Sequence, residues 1–125
     1  MLAKLLAFAS VVEIGTGVAV MVVPNLVVSL LLGGEVSGVG IQVARCFGVA
    51  LLALGLACWP SRQHAGGGPS AARAMLVYNA LIASFLVYLY AVAHVGGVLL
   101  WPAALLHAAV AILLVWTWRA ERPGA

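Results

Sequence analysis

Four residues in this sequence could do chemistry in a setting where most side chains do none. Glu13, Arg45, Asn79 and His107 each stand inside a separate long apolar run. A carboxylate, a guanidinium, an amide and an imidazole are all costly in hydrocarbon unless they meet one another or water. Two roles are open to such a set. In one, Glu13 and His107 bind or relay a proton, a cation or a small polar ligand, and Arg45 tunes their charge. In the other, Glu13 and Arg45 form a buried ion pair that sets helix register, Asn79 bonds between helices, and His107 donates to a carbonyl or to Glu13. The place of Arg45 separates the two. A desolvated carboxyl group favours its neutral form, whereas one beside a guanidinium stays ionised and carries protons poorly.

Other chemistries find little here. His64, His94, His107 and Glu13 do not fall at metal-ligand spacing, so no metal site is read. A haem between helices would need inward histidines at matched depth, and His94 and His107 lie at different depths. No Ser-His-Asp set, phosphate-binding glycine loop or pair of carboxylates occurs; the acids besides Glu13 are Glu35 and Glu121, far from it and from each other. No cofactor is implied. Cys46 and Cys58 are twelve residues apart in one helical run. That places them about 18 Å apart, too far for a disulfide within one subunit, and both read as small packing residues.

The elements that must position these residues follow from composition. The chain of 125 residues is 66% hydrophobic and 7% charged, with a mean hydropathy of +1.20. Soluble domains carry roughly a quarter charged residues, so lipid must cover this surface. The length allows about four spans of roughly 20 residues. The expected fold is all-α: an integral membrane four-helix bundle, with one transmembrane domain over 1–125 and helices over 2–23, 39–59, 71–94 and 98–119. The run after Lys4 resembles a signal peptide, but its length and its central Glu13 favour a retained first helix. Pro24 breaks that helix, and the apolar piece 26–32 is too short to span. Residues 60–70, rich in glycine and polar groups, are expected as a flexible cytoplasmic loop, with Ser70 capping the third helix. Gly96-Gly97 reads as a tight turn, and Pro102 is tolerated in the first turns of the fourth helix.

Depth and face bring the polar residues together. At the helical rise, Glu13 and His107 each lie roughly 13 Å from opposite boundaries of a core about 30 Å thick, hence nearly level. Arg45 is nearer the outer face, from which it can reach inward to Glu13 or outward to headgroups. Asn79 is nearer the inner face. Ser10, Glu13, Thr16 and Gly17 share one helical face, and Ala104, His107, Ala108 and Ala111 share another. Gly40, Ala44 and Gly48, with Gly55 one heptad beyond, make a small-residue stripe that permits close helix approach in lipid.

With four spans, Lys4, Arg62, Arg73, Arg119 and Arg122 share one side, and the other side's loops hold Glu35 without lysine or arginine. By the positive-inside rule both termini are cytoplasmic. The net charge of +3 is therefore a topology signal, and no nucleic-acid partner is read from so few cations. Trp59, Trp116 and Trp118 at one end, with Trp101 and Tyr90 at the other, read as aromatic belts.

The segment Val12-Glu13-Ile14-Gly15-Thr16-Gly17-Val18-Ala19, followed by Pro24, resembles the first helix of DoxX-like small membrane proteins, and Ala44-Arg45-Cys46-Phe47-Gly48 and Tyr78-Asn79-Ala80-Leu81 resemble pieces of hypothetical four-helix bacterial proteins. The resemblance implies a four-helix bacterial inner-membrane protein, some relatives being associated with oxidoreductases, and assigns no catalytic residue. Glu13 with Gly15-Thr16 is also similar to the small multidrug resistance transporters, but the strong charge bias, Arg45 and the long middle loop depart from that pattern. Three functions stand in order: an accessory or structural subunit meeting a membrane-protein partner or a second copy; an oligomeric small transporter or channel using Glu13 and His107; and a membrane enzyme or redox partner acting on a lipid-soluble molecule.

Overall fold

A backbone in hydrocarbon must pair its own N–H and C=O groups, and the helix does so within one segment. The computed structural model describes residues 1–60 and 68–120 and is helical throughout its apolar runs. Five helices follow in order: α1 (Leu2–Val22), α2 (Pro24–Leu32), α3 (Val39–Ala57), α4 (Pro69–Ala91) and α5 (Leu100–Ala120). No strand occurs among the described residues. α1, α3, α4 and α5 are each long and apolar enough to cross a membrane. Residues 61–67 of the expected polar loop, and the tail 121–125, lie outside the described residues.

Helix ends differ from expectation where backbone chemistry overrides side-chain caps. α4 opens with Pro69 after Gly68, without a side-chain cap bond. Proline's fixed φ suits the first helical position and its missing N–H costs nothing there, so Ser70 lies inside the first turn and is not the cap. α4 stops at Ala91, short of His94. His94 takes φ 54, a left-handed backbone, and the Val95 N–H turns back to the Leu89 carbonyl at 3.0 Å. The piece after Pro24 is a true helix of nine residues, only ~13 Å long.

α2 is stitched across the end of the bundle. Gly33, at φ 75, closes it, its N–H bonding the Ser29 carbonyl. Two of the carbonyls left over at the helix end are taken by the α4–α5 connection: Leu31 accepts from the Gly97 N–H at 2.9 Å and Leu30 from the Leu99 N–H at 2.8 Å. A Cβ at Gly97 would strike the Leu30 carbonyl, so this glycine serves a close backbone approach more than a tight turn.

α1 occupies the middle of the assembly. It packs chiefly on α3, while α4 and α5 form the second close pair. The α1–α3 seam is antiparallel and nearly backbone to backbone: a Cβ on Gly17 would lie 2.7 Å from the Gly48 carbonyl oxygen, and one on Gly55 would lie 2.9 Å from the Ser10 carbonyl oxygen. Such approach gains dispersion contact where apolar lipid supplies no hydrophobic drive. Gly48 and Gly55 of the expected small-residue stripe face α1, whereas Gly40 packs on Val36. On its other side α1 meets α4 and α5. Leu2, Leu6 and Ala9 cluster there with Cys58, Ala72, Met75, Val110 and Leu114. This cluster joins the start of α1 to the end of α5, so both lie at one end of the bundle. At the other end Leu86, Leu100 and Ala104 pack with Leu31 of α2. Outward faces are apolar, with Leu81 and Leu105 each 65% exposed and Ile112 68% exposed, which only a bilayer can cover.

Gly48→Leu should lower the stability of the detergent-solubilised protein by about 1–3 kcal/mol, because overpacking forces the backbones apart. Gly15→Ala is the matched control: no atom stands within 4 Å of a Cβ there, and helix propensity should make it neutral or stabilising by up to ~1 kcal/mol. Thermal unfolding followed by circular dichroism reads both; equal losses would show that close packing is not what the seam requires.

Candidate functional site

The polar residues of α1, α4 and α5 meet in the interior. Glu13 and Ser10, one helical turn apart on α1, are 2% and 0% exposed, and Asn79 on α4 is 1% exposed. Gly17 of the same face is buried as well, but Thr16 is exposed and turns away. On α5, Ala104 and Ala111 are buried and His107 and Ala108 half-buried between them. This face brings the imidazole to the centre, where its Nδ1 lies 2.8 Å from Asn79 Oδ1 and 3.9 Å from Glu13 Oε1.

The network defines its own polarity. The Asn79 amide nitrogen donates to the Met75 carbonyl at 2.8 Å, and only the NH2 side of an amide can donate. Oδ1 is therefore the acceptor facing His107, and Nδ1 must carry the proton that donates to it. In the neutral imidazole this leaves the lone pair on Nε2. The Tyr78 hydroxyl, on the residue before Asn79, faces the Glu13 carboxyl group. Its ring meets His107 edge-on, with centroids 5.7 Å apart and planes at 84°, a favourable aromatic geometry. α1 thus meets α4 and α5 at Glu13, which faces Tyr78 and His107, and α4 is bonded to α5 by Asn79–His107.

Ser10 breaks the pattern. Ser84 and Thr117 donate to carbonyls of their own helices, at 2.9 Å and 2.8 Å, but the buried Ser10 Oγ has no hydrogen-bond partner.

Arg45 is not part of this centre. It is exposed and lines a notch of about 350 Å3 with Val22, Val23, Pro24, Asn25, Leu26 and Ile41, at the elbow between α1 and α2. The ion pair expected between Glu13 and Arg45 is replaced by the Tyr78 and His107 contacts. Register explains the difference. Gly17 meets Gly48 and Ile14 meets Gly55 across the seam, so the α3 residue level with Glu13 is Leu54. Arg45 stands nine residues away along α3, ~13 Å nearer the other end, and Glu13 faces α4 and α5 instead.

Tyr78 is the member that residue type alone does not single out. Its one signal is position: an aromatic hydroxyl at mid-span, away from the belt depth that suits tyrosine, needs a buried partner. Aromatic residues at the ends behave differently. Tyr90 packs against Trp101 with centroids 5.0 Å apart, and Arg73 sits over the Trp118 ring at 5.9 Å. His94, exposed at the α4–α5 connection, is remote from His107, and among the described residues no three His, Cys, Asp or Glu are grouped to hold a metal ion.

Grooves open elsewhere on the molecule. One of about 390 Å3 runs between α4 and α5 to Arg119, and one of about 370 Å3 lies beside Tyr90 and His94. Neither these nor the Arg45 notch is lined by Glu13, Tyr78, Asn79 or His107. No protein-family model, curated protein or solved structure matches the chain.

A double-mutant cycle on Asn79→Ala and His107→Ala should give a coupling of about 0.5–1.7 kcal/mol, the range for hydrogen bonds between membrane helices. Arg45→Ala should change stability by no more than ~0.5 kcal/mol, as for exposed side chains away from a network. Chemical unfolding in mixed micelles measures both; a zero coupling, or an Arg45→Ala loss as large as that of Asn79→Ala, would contradict the assigned contacts.

Proposed function

We propose that this membrane protein is an accessory or structural subunit whose polar centre joins its helices and handles no substrate. The observation that carries this reading is the mutual contact of Glu13, Asn79 and His107 across three helices. His107 Nδ1 meets Asn79 Oδ1 and approaches Glu13, the Asn79 amide donates to the Met75 carbonyl, and the grooves of about 390, 370 and 350 Å3 are lined by other residues. A buried polar set of this kind selects one helix arrangement, because any other leaves its members unpaired in a low dielectric. α3 meets the rest of the molecule mainly through α1 and leaves Val43, Cys46, Phe47 and Leu56 exposed, a face open to lipid, to a partner helix or to a second copy.

The same reading places the chain in a bacterial inner membrane with both termini cytoplasmic. Lys4, Arg73 and Arg119 fall at the end that carries the start of α1 and the end of α5, and Glu35 falls at the other. That distribution obeys the positive-inside rule. The glutamate-then-glycine pattern of α1 keeps a DoxX-like relationship within this proposal.

Two observations favour a second reading, an ion or small polar ligand handled at the centre. Arg45 stands away from Glu13, so the guanidinium that would mark a structural ion pair is missing from the centre. The unpartnered Ser10 hydroxyl, one turn from Glu13, is the group such a species would use.

Glu13→Gln separates the two, since it preserves shape and one acceptor oxygen while replacing the other with an NH2 donor and removing the ionisable group. For a structural centre the variant should fold with stability within ~1.5 kcal/mol of wild type. Proteoliposomes of either form should then show no proton or cation flux above empty vesicles. A wild-type flux that Glu13→Gln abolishes, with folding intact, would overturn the structural reading.

A further inference from the structure

The α4–α5 groove differs from the others in joining an apolar channel to arginine at the membrane boundary. Leu76 and Ala80 of α4 form one wall, and Ala111, Ile112 and Val115 of α5 form the other. Leu76 and Ala80 are four apart, as are Ala111 and Val115, and Ile112 lies three before Val115, so each wall is a continuous helical stripe. Arg119 and Trp116 stand at the groove's end. A second recess of about 260 Å3 shares Leu76, Val115 and Arg119 and adds Trp118, whose ring carries the Arg73 guanidinium at 5.9 Å. Two arginines, one from each helix, therefore flank the mouth at one end of the bundle. Arg119 is the penultimate residue of α5 and Arg73 lies in the second turn of α4. At 1.5 Å per residue both fall at headgroup level when the groove lies in the acyl region. Among the described residues no carboxylate lines either recess: Glu13 is buried in the core and Glu35 is in the turn before α3, at the other end.

We propose that this groove binds one anionic phospholipid, an acyl chain lying between α4 and α5 and the phosphate resting on Arg119 and Arg73. Charge complementarity selects this occupant. An uncharged apolar partner would leave the arginines idle, and a soluble anion would leave the channel of about 390 Å3 empty. Arginine presents a planar fork that matches phosphate oxygens. The adjoining tryptophans place amphipathic rings at the same level, where they favour the interface. The inference uses residues outside the polar centre and holds whichever role that centre has.

Native mass spectrometry of the full chain in detergent tests it, with phosphatidylglycerol and phosphatidylcholine of identical acyl chains as probes. Wild type should retain a single phosphatidylglycerol molecule in preference to phosphatidylcholine. Arg119→Gln, at an exposed position, should reduce that preference about fivefold, the effect of one basic residue at an anionic surface, and Arg119→Lys should keep most of it. Ala80→Phe, which fills the channel from an exposed position, should weaken retention of both lipids. Equal retention of the two lipids by wild type would overturn the proposal. So would an unchanged preference in Arg119→Gln, or loss of the bound lipid to competing glycerol phosphate, which would show a headgroup-only site. A dimer closed through α4 and α5 that excludes lipid would overturn it too.

Discussion

Hydrocarbon offers no hydrogen-bond partner, and the arrangement of this protein depends on how four spans meet that constraint. Their backbones meet it by becoming helices. Their polar side chains meet it only by convergence. Glu13 faces Tyr78 and His107, while His107 donates to Asn79, which in turn donates to the Met75 carbonyl. Each link lies across a helix boundary or anchors the next link to its own helix. Remove the convergence and α1 retains only apolar packing against α4 and α5, which lipid tails can imitate.

α1 is therefore held by two different kinds of contact. Towards α4 and α5 it uses polar bonds backed by the Leu2, Leu6 and Ala9 cluster. Towards α3 it uses the absence of side chains, with Gly17, Gly48 and Gly55 allowing backbone contact. The first is directional and chooses a rotation of the helix about its axis. The second is a shape match and chooses its register. α2 adds a third constraint at the far end, where its last carbonyls bond the α4–α5 connection and join a segment too short to span to helices that do.

The functional consequence follows from where polarity and space are found. Glu13, Asn79 and His107 meet in the interior, while grooves open outside it between α4 and α5, at the α1–α2 elbow and beside the α4–α5 connection. The long helices present apolar, lipid-facing surfaces while the polar side chains gather inside. Arg119 and Arg73 mark one of those surfaces chemically; the outward face of α3 is marked only by exposed apolar side chains.

What the sequence determined by itself was the all-helical class, the four spans and the inward need of Glu13, Asn79 and His107, because hydropathy and the cost of buried polarity are local properties of each run. The helical rise also put Glu13 and His107 at one depth before any packing was known. It could not place Arg45, since that depended on the antiparallel register of α1 on α3, which the fit of Gly17 against Gly48 decides. Nor could it pair Tyr78 with Glu13 or turn Ser70 from a cap into a first-turn residue. Those outcomes rest on rotation about helix axes and on which neighbour arrives at each face, and only tertiary packing supplies both.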